Sequence, residues 1–393
     1  MHRITTDERR RRLAHRHRLI SSGRTDDPVA IADDLVCLHS SDPATVHLSC
    51  LVRMTAPSID AVERALYADR RLVRHHAMRR TIWVMTPATA RLAHAATTMK
   101  IARNERRTNI KAVEVSGVVD DPEAWIDAGV AEIRTLLEAD GPLGTREIGQ
   151  RLPHLMVPLR YGTEKHNATL NAHTKLLQGA GFEGEFTRIE PTGSWTSAEY
   201  RWTVTDDWLG QPIAGLDTRE AAAGLVEHYL RRFGPATEAD LKWWLGETAT
   251  LVRNALADID AVEVALDDDS TGWVAAGDVD DTDPPGPWVR LLPGLDATAM
   301  GWKERRWYLE PDHVPRLFDR FGNVGPTIWA DGAIVGGWTQ RPDGSVVHEL
   351  LAPIGDDHHD LLAEAITGFE DALDGVQVRP RFPSKNQKEL LAG

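Results

Sequence analysis

Between Leu38 and Pro43 the chain sets an imidazole, two hydroxyls and a carboxylate side by side: His39, Ser40, Ser41 and Asp42. These residue types handle water. An imidazole with an ordinary pKa of about 6.5 works as a general base, a hydroxyl shares the water, and a carboxylate steadies positive charge. Each also has a structural use. A histidine at a helix junction serves as a hydrogen-bonded structural residue, and Asp42 before Pro43 marks a helix start, as N-cap and first helical position. Downstream lie Arg53, Arg70, Arg71, Arg74, Arg79, Arg80 and Thr81, with His75 and His76 among them. Guanidinium groups at this density suit phosphate, whose contacts supply most non-specific affinity for nucleic acid and make it fall with salt. Some of them will be plain solvated faces.

Other clusters carry less. His358-His359 among Asp356, Asp357 and Asp360 read as an acidic helix start rather than a metal site, and Asp267–Asp269 lacks the ligand order of a calcium loop. Trp243, Trp244, Trp302, Trp307 and Trp338 read as core. No phosphate-cradling glycine loop and no hydrolase triad is present. Neither a metal nor a cofactor is expected.

The elements around the turn follow from periodicity and punctuation. A basic amphipathic helix spans 3–20 and an apolar-periodic one 29–38. After Asp42-Pro43 comes a helix over 44–54, then a short one over 59–69. Residues 72–78 lead, through a third helix ending near Arg79, to a β-prone run over 81–85. That order is a winged helix, with Arg79, Arg80 and Thr81 where such folds meet the DNA backbone. The pattern recurs with helices over 125–138, 146–151 and 167–179 and a hairpin across 182–202, whose turn Pro191-Thr192-Gly193-Ser194 has the place of a wing. A third copy has helices over 221–233, 238–245 and 248–256 and a strand near 262–264. Beyond an acidic, proline-rich loop, β runs at 288–292, 327–330, 333–338 and 346–351 make a small antiparallel sheet or barrel, closed by a helix over 357–373 and a basic tail over 379–388. The expected class is α+β: three tandem winged helices (1–115, 121–210 and 217–268) and a β-rich domain (272–393).

Charge is distributed unevenly. The formal net charge is -14, yet the first 111 residues hold 21 Lys and Arg against 11 Asp and Glu. A local excess of one sign steers partners regardless of the total. The two cysteines, Cys37 and Cys50, offer neither a disulfide framework nor zinc spacing. With no apolar leader or spanning run, the expectation is a soluble cytoplasmic protein, on the nucleoid when bound to DNA.

Leu38–Pro43, Ala65-Leu66-Tyr67, Leu72-Val73-Arg74 and Ala77–Thr81, with Leu291–Asp296, Pro326–Trp329 and Val335–Trp338, resemble the tandem winged-helix family of bacterial DNA glycosylases, the AlkZ/YcaQ-like family. The resemblance covers nearly the whole chain. It implies an enzyme on double-stranded DNA, alkylated or crosslinked, that hydrolyses the N-glycosidic bond of alkylated nucleobases; a monomer is expected. His39, Ser41 and Asp42 then stand at the catalytic turn, where the family carries Gln-x-Gln or Gln-x-Asp and this chain has His39-Ser40-Ser41. Arg53, Arg70, Arg71, Arg74, Arg79 and Arg80, with Thr81, are the residues expected to bind DNA. The changed motif keeps a rival in view: a non-catalytic winged-helix DNA binder, either a regulator or a damage-binding protein. A scaffold for protein contacts is a third reading.

Overall fold

The computed structural model describes residues 1–163 and 166–392. Helices and small sheets alternate along it. The first sheet has Thr81–Met85 at its centre, flanked by Leu38–His39 and Val73–Ala77, both antiparallel to it. The second centres on Tyr200–Val204, between Leu143–Gly144 and Phe186–Pro191. A third centres on Val262–Ala265, with Thr271–Val274 antiparallel on one side and His2–Arg3 parallel on the other. Last comes an antiparallel meander of Val289–Leu292, Thr327–Ala330, Ala333–Gln340 and Val346–Leu350, with the helix Asp356–Leu373 packed on its first strand.

Short polar residues open the helices. Asp42 Oδ1 accepts from Ala44 N–H (3.1 Å), starting Pro43–Leu51. Thr237 and Asp240 cap each other reciprocally at the head of Glu238–Leu245. Thr248 and Asp217 cap Ala249–Asp258 and Thr218–Phe233. In Tyr200–Val204, Tyr200, Trp202 and Val204 turn inward and Arg201 and Thr203 stay half-covered, the period of a one-sided strand.

Two expected helices are corrected. The segment before Arg79 is the strand Val73–Ala77, paired along its length with Thr81–Met85. All five of its residues are buried, so no alternation betrays it. Arg79 and Arg80 close that hairpin at φ of 55° and 61°. The helix expected from Asn167 begins at Ala172, and His166–Asn171 pairs instead with Pro158–Thr163; that strand depends on a partner, which periodicity does not report.

The N-terminal arginines meet acid. Thr6–Arg16 is the helix, and buried Arg12 reaches Glu8 (2.7 Å) and the carbonyls of Asp278 and Asp280 (3.0 and 2.7 Å). Arg16 pairs with Asp278 at 2.7 Å. The acidic loop seen in the sequence thus covers part of the basic N-terminal cluster. No helix among the described residues is long and apolar enough to cross a membrane.

Candidate functional site

The turn hangs from the first sheet. Leu38–His39 pairs with Val84 and Trp83, and Ser40 extends the pairing by donating its N–H to the Ile82 carbonyl (2.9 Å). His39 is 3% exposed, its ring set edge-on against Trp83 with centroids 4.6 Å apart. Its Nδ1 accepts from Ser41 N–H at 3.3 Å, so the proton of the neutral ring sits on Nε2. Burial, reinforced by the Arg79 charge, lowers its pKa to about 3. At neutral pH this imidazole is uncharged and a feeble base. Ser41 is half-buried. Asp42 is held twice, through the cap to Ala44 and through Oδ2, which accepts from Arg381 N–H at 2.9 Å. Each oxygen keeps a second lone pair.

The expected phosphate-binding arginines part company here. Arg53 is wholly buried: it forks onto Asp296 (2.8 and 2.9 Å) and also donates to the Thr298 hydroxyl and to the carbonyls of His17 and Ser49. No nitrogen is left for phosphate, so Arg53 leaves the set. Arg74 is buried too, donating to the Ser40 hydroxyl (2.9 Å) with its guanidinium 4.2 Å above the Tyr200 ring. It braces the turn rather than facing solvent. Arg79 is half-buried over Trp243 (4.2 Å), and burial lowers its pKa to about 10. The exposed ones are Arg70, over the Trp208 ring, Arg71, 3.8 Å from Asp27, and Arg80, paired with the buried Glu105. Thr81 spends its hydroxyl on the Met78 carbonyl (2.9 Å).

Beside the turn lies a cleft of about 880 Å³, walled by the start of the helix Thr145–Arg151, by the hairpin Phe186–Val204 and by Arg381. Arg146, Arg188 and Arg381 line it, none in an ion pair among the described residues; Glu147 and Glu199 are the acids on its wall. The Arg188 guanidinium lies 4.7 Å above the Trp202 ring, and burial lowers its pKa to about 10. Two links join cleft to turn: the Arg381–Asp42 hydrogen bond, and Tyr200, which lines the cleft and carries Arg74 against Ser40. In the sequence the hairpin and the basic tail carry no mark that joins them to the turn. Their residues lie well over 100 positions from it, and only the fold brings them together.

Nothing here resembles a metal centre: among the described residues no three His, Cys, Asp or Glu side chains converge. Cys37 and Cys50 are buried, and desolvation raises both thiols, Cys50 to about 12, which removes them as nucleophiles.

The sequence matches the family model described as DNA glycosylase AlkZ-like over residues 32–376. Among solved structures the fold is similar to Streptomyces sahachiroi DNA glycosylase AlkZ, with a TM-score of 0.72 at 18% identity over 96% of this chain and 99% of that one. No curated protein matches the sequence.

Proposed function

The chain belongs to the AlkZ-like DNA glycosylase family, and from that premise we propose that it hydrolyses the N-glycosidic bond of alkylated nucleobases in double-stranded DNA, acting as a monomer with the Leu38–Pro43 turn as its reaction centre. We read its three three-stranded sheets, with their helices, as the three winged helices, His2–Arg3 being lent to the third. One observation carries the proposal: three guanidinium groups, without carboxylate partners among the described residues, line a cleft that is tied to the turn by the Arg381–Asp42 hydrogen bond.

An alkylated ring nitrogen makes the base cationic, so it departs without an acid. The remaining demand is to steady an oxocarbenium-like sugar and to hold the water that attacks it. His39 suits the second task as a neutral Nε2–H donor, and its low pKa replaces the general-base role expected from an ordinary imidazole with water positioning. The Ser41 hydroxyl shares the water. The free lone pairs of Asp42 face developing positive charge. Arg188, Arg381 and Arg146, with the exposed Arg70, Arg71 and Arg80, take the phosphates.

The test is release of 7-methylguanine from methylated duplex. His39→Ala and Ser41→Ala are expected to lower the rate about 100-fold, the scale of a misplaced reactant, with duplex affinity unchanged. Equal release by His39→Ala and the parent removes His39 from the mechanism. No release by the parent, alongside salt-sensitive duplex binding, assigns the fold to a non-catalytic DNA binder.

A further inference from the structure

A second cavity, of about 350 Å³, opens at the opposite end of the helix that Asp42 caps. Leu51, Val52 and Met54 come to it from that helix and its exit, Leu291 from the first strand of the meander, and Leu361 and Phe369 from Asp356–Leu373. Two guanidinium groups share this space, whose walls are partly polar and partly apolar. Arg24 makes no side-chain hydrogen bond among the described residues, and its Nε is enclosed without a partner. Arg290 gives its terminal nitrogens to the Val289 carbonyl (2.8 Å) and, at 3.4 Å, to the Ser21 hydroxyl; its Nε is likewise enclosed and unpartnered. Glu364 is the acid on the wall, and it pairs with neither.

Such a pair is expensive. Burial lowers the pKa of both groups, that of Arg290 to about 10 with the Arg24 charge adding to the effect. A buried charge ordinarily comes with its counter-charge. Both guanidinium groups are half-buried, no carboxylate among the described residues pairs with either, and the room that remains is within the range of small-molecule pockets.

We propose that this cavity binds a small organic anion, with a carboxylate or phosphate head between Arg24 and Arg290 and an apolar body against Leu51, Leu361 and Phe369. Guanidinium forks recognise such heads by paired, charge-assisted hydrogen bonds. The apolar walls select a compact amphipathic acid over a DNA backbone, whose phosphates come as a solvated chain. The site is independent of the glycosylase reading.

Gly368 supplies a variant that leaves both charges in place. It lines the cavity, and a Cβ added there meets nothing within 4 Å. Gly368→Leu therefore fills the space and favours the helix. The probes are phenyl phosphate, octanoate and inorganic phosphate, titrated calorimetrically into the full-length protein. Phenyl phosphate and octanoate are expected to bind at one site, and inorganic phosphate more weakly. Gly368→Leu, and separately Arg24→Gln with Arg290→Gln, are expected to weaken phenyl phosphate by at least about tenfold, equal to about 1.4 kcal/mol, while duplex affinity stays at the parental value. The proposal is overturned if neither organic anion binds saturably, or if Gly368→Leu binds phenyl phosphate as the parent does. It is equally overturned if the arginine variant loses duplex affinity instead, which would give these guanidinium groups to DNA.

Discussion

Arg53 and Asp296 are both fully buried and hold each other by two hydrogen bonds, with Ser49 and Thr298 filling further positions around the pair. Removing one member of such a pair leaves a naked interior charge, whose cost is about 3–5 kcal/mol. Arg53→Leu should therefore lower unfolding free energy by that amount in a urea titration while leaving the salt dependence of duplex binding untouched; a changed slope at parental stability would return Arg53 to the DNA surface. The sequence offered no means of telling Arg53 from Arg70. Both sit in a basic stretch, and the partner that decides is more than 200 residues away. Asp42 was legible, because capping is a local matter of an acceptor and the next few N–H groups. The place of His39 before the capped helix was legible and its low pKa was not, since burial and the Arg79 charge set that value.

At the scale of elements, the hairpin Phe186–Val204 turns two sheets into one site. Trp195 in its loop packs on His47 with ring centroids 5.0 Å apart, and the Thr187 hydroxyl donates to the Arg74 carbonyl in the neighbouring sheet. Arg188 is thereby fixed facing the cleft, and each phosphate it or Arg381 neutralises contributes about -0.9 to the slope of log K against log salt. Arg188→Gln and Arg381→Gln should each flatten that slope by about 0.9, measured by fluorescence anisotropy on duplex DNA. An unchanged slope in both would move the phosphate path elsewhere. The hairpin itself could be read from its Pro-Thr-Gly-Ser turn between β-prone runs. Val73–Ala77 could not, because its middle residues Arg74, His75 and His76 are polar yet buried and show neither an apolar run nor alternation, and only its partner Thr81–Met85 defines it as a strand.

Across the whole molecule, buried histidines share one displacement. Desolvation holds His17, His39 and His47 near pKa 3 and His94 near 4, and pulls His75 and His76 well below their ordinary value. Unfolding restores them to about 6.5, so below that pH the unfolded chain binds protons that the native one refuses. Their native-state advantage is complete above pH 6.5 and is lost as pH falls from 6.5 toward 4, at up to about 1.4 kcal/mol per pH unit for each. Three such groups exhaust much of a typical stability of about 5–15 kcal/mol before pH 4. Urea midpoints should therefore fall steeply between pH 6.5 and 4.5; a flat profile there would show that these rings are hydrated in the native state. Charge shows the same dependence on assembly, since the basic N-terminal helix is compensated by Asp278 and the Asp280 carbonyl from far along the chain.

The parallel pairing of His2–Arg3 with Val264–Ala265 has a consequence in time. During synthesis at about 5–20 residues per second, the chain's beginning waits on the order of tens of seconds for the strand that receives it. Arg12 and Arg16 wait as long for their partners in the acidic loop. The N-terminal helix thus spends that interval with its arginine excess eased only by its own Asp7 and Glu8, and the third sheet closes only once Val262–Ala265 has been made.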